Sequence, residues 1–160
     1  MRFIPGLLSA IMLCAGLAPA HSQTADLWPD PPFRNVLATP YGTLEVRTTS
    51  YVYGSALLLD GTEVEPPIEG LINISYAYRV GKRSVALISV DTGDRACPIH
   101  YHWIALDKSG HRVTKAFGSC SPKVRVSIHG RNLQLETPSA DAPGKIDLWS
   151  YDGRSVRRRH

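Results

Sequence analysis

The chain has 160 residues, of which 43% are hydrophobic, and this composition predicts one globular domain and argues against a mostly disordered polypeptide. Five of its 18 basic residues lie near the two ends, at Arg2, Arg154, Arg157, Arg158 and Arg159. Between residues 21 and 153 there are 13 basic and 14 acidic residues, a balance that argues against nucleic-acid binding by the body of the protein.

Residues 1–20 have the pattern of a secretory signal peptide. Arg2 supplies a positive charge, residues 4–17 are mostly apolar, and Ala18 and Ala20 are small residues at the −3 and −1 positions of a cleavage site. We therefore expect cleavage near Ala20 and a periplasmic or secreted product. No transmembrane span is expected, because the apolar run is short and no second run of about 18 apolar residues follows.

Residues 21–40 contain four prolines and little periodicity, which predicts an extended leader before a β domain over residues 41–160. From residue 41 onward, alternating apolar residues predict about nine short strands and no amphipathic helix. Residues 83–90 are apolar on both faces and are expected to form a central strand. The strand over residues 71–80 is expected to place five side chains on one buried face: Ile72, Ile74, Tyr76, Tyr78 and Val80.

Tight turns separate the predicted strands, and each contains a glycine. The clearest are Gly81-Lys82, Ser109-Gly110, His129-Gly130 and Asp152-Gly153. Sequential hairpins of this kind predict an all-β fold, a single antiparallel meander that forms either a small barrel or a two-sheet sandwich.

Two cysteines, Cys97 and Cys120, remain after removal of the signal peptide. An even number of cysteines in an exported protein predicts one disulfide, which would close the hairpin over residues 97–120 at its open end. A metal site built on these two thiolates is the alternative, but it would require two further ligands.

His100 and His102 are the candidate metal ligands. They alternate across Tyr101, so both imidazoles would project from one face of a strand, about 7 Å apart. Two polar residues on a solvent-exposed face would give the same pattern, with Tyr101 facing the core. The chain offers three candidates for a third ligand: His111, His129 and Asp107. No cofactor and no catalytic residue is predicted.

Trp149 and Tyr151 share a face of the predicted last hairpin and precede the basic C-terminus. They form a candidate partner-binding surface with four arginines: Arg154, Arg157, Arg158 and Arg159. Residues 51–53, with tyrosines at both ends, offer an alternative edge. The arginines would also suit weak contact with an anionic surface. The plain alternative is a Trp at the margin of the core and a solvated, frayed tail.

The segment 96–98, Ala-Cys-Pro, precedes Tyr101 and Trp103, and the segment 117–121, Phe-Gly-Ser-Cys-Ser, follows them. This pattern resembles small exported proteins of Gram-negative bacteria in which similar segments flank a hairpin. The resemblance implies a periplasmic or secreted β domain and brings no established activity. In architecture alone, a small disulfide-bonded β domain is similar to periplasmic lysozyme inhibitors and immunity proteins, but shared architecture does not establish shared function.

These observations favour a non-enzymatic periplasmic or secreted binding module that, like an inhibitor or immunity protein, acts on another envelope or secreted protein. Two alternatives stay open. One is a small metal-dependent enzyme or hydrolase that uses His100 and His102. The other is a structural component of the cell envelope.

Overall fold

The computed structural model describes residues 28–50 and 54–159. The expected signal peptide, its cleavage near Ala20, and Tyr51 and Tyr53 lie outside these residues. The described part contains no helix that is long and apolar enough to cross a bilayer. Its strands are β1 (Val36–Thr39), β2 (Gly42–Thr48), β3 (Ser55–Leu59), β4 (Thr62–Glu63), β5 (Leu71–Val80), β6 (Arg83–Asp91), β7 (Ile99–Asp107), β8 (Gly110–Val113), β9 (Arg125–His129), β10 (Asn132–Pro138), β11 (Ile146–Tyr151) and β12 (Val156–Arg159).

The strands form three four-stranded antiparallel sheets, and each sheet is a meander of consecutive strands. We call them the N-terminal sheet (β1–β4), the central sheet (β5–β8) and the C-terminal sheet (β9–β12). The all-β class and the antiparallel meander are confirmed. The structure has three open sheets, whereas a barrel or a two-sheet sandwich was expected. The prediction differed because the sequence pattern indicates strands but does not show where one sheet ends and the next begins.

The central sheet is buried on both faces. On β6, Ile88 and Val90 pack against the N-terminal sheet, whereas Val85 and Leu87 pack against the C-terminal sheet. All four side chains are at most 3% exposed. Since successive side chains on a strand point to opposite faces, a strand covered on both sides is expected to be mostly apolar on both. The central strand expected from residues 83–90 is therefore confirmed.

The apolar residues of β5 do not share one face. Ile74 packs with the core between the N-terminal and central sheets, whereas Tyr76 and Tyr78 pack on the side of the C-terminal sheet. A β-bulge between Ile74 and Tyr76 inserts Ser75 and shifts the alternation by one residue. The buried Ser75 hydroxyl is hydrogen-bonded to that of Ser89 at 2.7 Å. The single buried face expected for this strand was wrong because alternation alone does not reveal a bulge.

The last part of the expected leader belongs to the fold. Val36–Thr39 pairs with β2 as the edge strand of the N-terminal sheet. Just before it, the Arg34 amide donates to Asn73 Oδ1 at 2.9 Å, and its carbonyl accepts from the Ile74 amide at 3.1 Å. The leader predicted over residues 21–40 therefore extends too far, because it includes a strand of the fold. Its final strand was missed because four residues after a proline-rich stretch are too few to establish a period.

The disulfide between Cys97 and Cys120 is confirmed, with a Cα–Cα distance of 4.6 Å. Cys97 precedes β7 and Cys120 follows β8. Between them, Tyr101 and Phe117 form an isolated antiparallel bridge through two backbone hydrogen bonds of 2.8 and 3.0 Å. The bond therefore closes the β7–β8 hairpin at its open end, as expected.

Candidate functional site

A cleft of about 720 Å³ opens at one end of the molecule, between the central and C-terminal sheets. Its walls are the turns that join β5 to β6, β9 to β10 and β11 to β12, and we call it the turn cleft. Its floor is formed mainly by apolar side chains: Val80, Val85, Leu133 and the ring of Tyr151. Concave sites with an apolar floor and a few polar groups are typical of ligand-binding sites.

The three turns share one local sequence, a glycine followed by a basic residue. They are Gly81-Lys82, Gly130-Arg131 and Gly153-Arg154. The glycines have φ of 61°, 63° and 90°, a region that suits glycine and is typical of tight hairpin turns. Because the two sheets are stacked with these turns at the same end, three cations from distant parts of the chain meet at one opening.

A fourth cation, Arg83, is held in place. Its Nε lies 3.4 Å from Asp107 Oδ2, and its Nη1 donates to the carbonyl of Gly153 at 3.2 Å. The side chain thus links the central sheet to the β11–β12 turn. Hydrogen bonds from Ser109, together with the charge of Arg83, hold the pKa of Asp107 below its usual range.

The second carboxylate of the cleft, Asp152, stabilises the β11–β12 turn to which it belongs. It accepts hydrogen bonds of 2.8 Å from the amides of Ser155 and Arg154, and these bonds hold its pKa low. Lys82, Arg131 and Arg154 are exposed, and within residues 28–50 and 54–159 none of their side chains has an ion-pair or hydrogen-bond partner. The mouth of the cleft therefore carries unneutralised positive charge.

Tyr151 lies beneath the floor, and its hydroxyl is unpaired. The residue is 1% exposed, and its hydroxyl has no hydrogen-bond partner among the described residues. Its ring stacks on that of Trp103 at 5.7 Å. Burial raises the pKa of the phenol, and the charge of Arg83 opposes this rise. The hydroxyl is shielded from solvent, so it belongs to the core behind the cleft and is not within reach of a ligand.

The structure divides the residues that the sequence proposed for partner binding. Tyr151 and Arg154 meet in the turn cleft. Trp149 faces the same core but packs against Phe117 at 5.8 Å, away from the cleft lining. Tyr151 is buried and Trp149 is half-buried, so Tyr151 presents almost no surface to a partner. Both rings belong to the hydrophobic core, because strand alternation turns this face of β11 inward.

The C-terminal arginines are part of a strand rather than a frayed tail. Val156–Arg159 pairs with β11 as the edge of the C-terminal sheet. Arg158 donates to Asp147 at 2.7 Å and to Asp141 at 2.8 Å, and its guanidinium lies over the ring of Trp149 at 5.7 Å. Its charge is therefore neutralised within the protein. Arg157 and Arg159 remain exposed.

His100 and His102 do lie on one face of β7, with ring centroids 5.1 Å apart. That face points toward the N-terminal sheet rather than to open solvent, and both rings are half-buried. Nδ1 of His102 lies 2.8 Å from the Thr114 carbonyl, which assigns the proton to Nδ1 because a carbonyl only accepts. Burial lowers the pKa of both imidazoles.

No third ligand joins the two histidines in the described part of the chain, where no group of three or more His, Cys, Asp or Glu residues could hold a metal. Of the candidates considered, Asp107 lies at the other end of β7 and pairs with Arg83. The His111 ring contacts the backbone of Glu65. Two imidazoles alone fall short of the three or four protein ligands of zinc sites.

Three residues of the turn cleft, Lys82, Arg83 and Arg131, were not singled out from the sequence. The repeated glycine–basic dipeptide at three predicted turns was the feature that could have found two of them. The fold and the cleft define a disulfide-bonded, three-sheet β domain with a basic cleft between two of its sheets. No protein-family model, no curated protein and no solved structure matches the chain.

Proposed function

We propose that this protein is a non-enzymatic binding module, periplasmic or secreted, that holds an acidic region of another envelope or secreted protein in the turn cleft. The observation that carries this proposal is the convergence of Lys82, Arg131 and Arg154, all without partners in the described structure, around an apolar floor. Unneutralised charge at the mouth of a cleft attracts oppositely charged partners and orients them.

The side chains of the cleft suit binding better than catalysis. Its described lining contains no His, Cys or Ser that could act as a nucleophile or a base near neutral pH. The two carboxylates, Asp107 and Asp152, have lowered pKa values and are engaged in ion pairs or turns. A carboxylate that stays ionised and hydrogen-bonded is a poor proton donor. The remaining groups can bind and orient a ligand.

Export is supported by two independent features. The first is the signal-peptide pattern of residues 1–20. The second is the Cys97–Cys120 disulfide, a bond that persists mainly in oxidising compartments such as the periplasm. A role like that of an inhibitor or immunity protein, which occupies a site on its partner, agrees with a small rigid domain that binds through its turns.

A capture experiment tests the proposal. Tagged mature protein is incubated with a periplasmic extract, alongside a cleft variant with Lys82→Gln, Arg131→Gln and Arg154→Gln. A control variant with Arg95→Gln, Lys123→Gln and Lys145→Gln removes the same charge from exposed sites outside the cleft. We expect a partner to be retained by the wild type and the control and lost from the cleft variant. Equal retention by both variants, or nothing retained by the wild type, would overturn the proposal.

A further inference from the structure

The turn cleft combines two kinds of chemistry at different depths. Val80, which is half-buried, presents apolar surface at the floor, and Val85, Leu133 and the ring of Tyr151 are buried beneath it. The cations stand at the mouth on three separate turns, so their charge is spread around the rim and not concentrated at one point. A complementary ligand therefore carries an apolar group in its middle and negative charges on either side of it.

The size of the cleft indicates a short ligand segment. Its volume of about 720 Å³ lies within the range of roughly 300–1,000 Å³ that is usual for sites holding small ligands. A few amino-acid side chains fill such a space. A folded partner would thus enter the cleft with a loop or a terminus rather than with a whole surface.

The acidic residues of the cleft argue against an anionic membrane or a nucleic acid as the ligand. Asp107 and Asp152 line the same opening as the cations. A continuous array of negative charge would meet these carboxylates as well, and a flat bilayer surface would not reach the apolar floor. Discrete carboxylates on a flexible segment can approach the cations one at a time and avoid both aspartates.

One cation of the lining, Arg83, is already fixed before a ligand enters. Its side chain is held by Asp107 and by the Gly153 carbonyl. A donor that is fixed in advance costs less to order when it binds an acceptor such as a carbonyl or carboxylate oxygen of a peptide.

We infer that the turn cleft recognises an acidic peptide segment with one apolar side chain at its centre. The apolar side chain packs on Val80, and flanking Asp or Glu carboxylates pair with the cations of the three turns. This inference rests on the proposed function and names the chemistry of the ligand.

Labelled synthetic peptides test the inference by fluorescence anisotropy. The probe has two acidic residues on each side of a central leucine. One comparison peptide has amides in place of the carboxylates, and another has serine in place of leucine. We expect the amide peptide to bind at least about tenfold more weakly, since it loses several charge-assisted contacts. The serine peptide is expected to lose about tenfold, from the apolar contact of its missing side chain.

Protein variants localise the binding. Val80→Thr keeps the β-branched shape and makes the floor more polar, so it should fold normally and bind the probe about threefold to tenfold more weakly. The cleft variant should lose binding, and the variant of Arg95, Lys123 and Lys145 should keep it. Equal binding of the acidic and amide peptides would overturn the inference, as would full affinity in Val80→Thr or tighter binding to vesicles of anionic phospholipid.

The outcomes separate this inference from the function on which it rests. If the cleft variant loses a captured partner while no acidic peptide binds the wild type, the peptide chemistry is wrong and the binding cleft stands. If neither partner capture nor peptide binding depends on the cleft, both are wrong.

Discussion

The guanidinium of Arg158 on β12 donates a hydrogen bond of 2.7 Å to the carboxylate of Asp147 on β11. Asp147 is 7% exposed, and it also accepts a hydrogen bond from the hydroxyl of Ser119. Ser119 stands next to Cys120, so this one carboxylate connects the last strand, its neighbour and the loop that carries the disulfide. One of the C-terminal arginines, Arg158, therefore helps to hold the C-terminal sheet together.

Deletion of residues 154–160 should therefore destabilise the protein. It removes β12, which pairs with β11 from Tyr151 to Leu148, and leaves the buried carboxylate of Asp147 without its cation. A matched variant with Arg154→Gln, Arg157→Gln and Arg159→Gln loses charge but keeps the strand and Arg158. Urea unfolding should show a large loss of stability in the deletion only. A deletion as stable as the substituted variant would show that β12 contributes nothing to the fold.

Asp147→Asn should cost about 2 kcal/mol of unfolding free energy at neutral pH, because it removes a charged hydrogen-bond acceptor from a buried site. Asp141→Asn is the matched control, since its side chain contacts the same guanidinium but is 72% exposed. Surface pairs of that kind contribute at most about 1 kcal/mol. Similar losses from the two substitutions would contradict the structural role of Asp147.

The cost of Asp147→Asn should also depend on pH. Burial alone would raise the pKa of Asp147, but the hydrogen bonds from Ser119 and Arg158 outweigh it and lower the pKa. A carboxyl whose pKa is lower in the folded than in the unfolded chain stabilises the fold above the unfolded value of about 3.9. The difference between wild type and variant should be complete at neutral pH and shrink as the pH falls below about 4.

Features that depend on local sequence pattern could be predicted from the sequence, whereas features that depend on contacts between distant residues could not. The strand over residues 83–90 could be predicted because alternate side chains report burial on each face, and the disulfide because only two cysteines remain after residue 20. The bulge at Ser75 was not visible, because a bulge leaves the list of apolar residues unchanged. The division into three sheets was not visible either, because it depends on which strands pack together.

The turn cleft is a second feature that depends on how distant strands pack. Each of its turns was predicted from a glycine, but Lys82, Arg131 and Arg154 are separated by tens of residues. They meet only because the central and C-terminal sheets stack with these turns at one end. Arg154 was noticed as part of a basic terminus, whereas Lys82 and Arg131 were marked only by the glycine–basic dipeptide that their turns share with it. This dipeptide does not show that the turns lie together. A site built from single residues on several hairpins becomes apparent only when sheet packing is known.

Replacing Cys97 and Cys120 by serine should lower the unfolding free energy by about 3 kcal/mol, because the loop they close spans 23 residues and its entropy in the unfolded chain would rise. Chemical denaturation of the oxidised wild type and the double variant measures the difference. Adding reductant should bring the wild type to the stability of the variant and leave the variant unchanged. No loss in either case would mean that the bond does not constrain the unfolded chain.

His102 should make the fold sensitive to mild acid. Burial lowers its pKa, with a smaller contribution from His100, and the hydrogen bond with the Thr114 carbonyl opposes the shift. The unfolded chain therefore takes up a proton near pH 6.5, where the folded protein does not, so stability falls as the pH drops through this region. His102→Gln should reduce the loss of stability between about pH 7.5 and about pH 5.5. His129→Gln, at an exposed position, is the matched control for the loss of one imidazole.

A substitution at Gly153 tests the stability of the β11–β12 turn and the geometry of the cleft separately. A Cβ atom at this position would lie 2.7 Å from Nη1 of Arg83, whereas one at Gly144 would meet nothing within 4 Å. Both glycines have positive φ, 90° and 79°, so alanine at either position should cost about 1 kcal/mol of stability. The flexible end of Arg83 can move aside, and the extra stability cost of Gly153→Ala should be small.

The effect of Gly153→Ala should appear instead in the affinity for the acidic peptide. Displacing Arg83 breaks its hydrogen bond to the Gly153 carbonyl and removes a fixed cation from the cleft lining. We expect Gly153→Ala to weaken binding of the acidic peptide about tenfold, and Gly144→Ala to bind it like the wild type. Unfolding curves and peptide titrations of the two variants provide the measurement. Equal affinity with equal stability would mean that Arg83 has no part in holding the ligand, and that the cations of the three turns act without it.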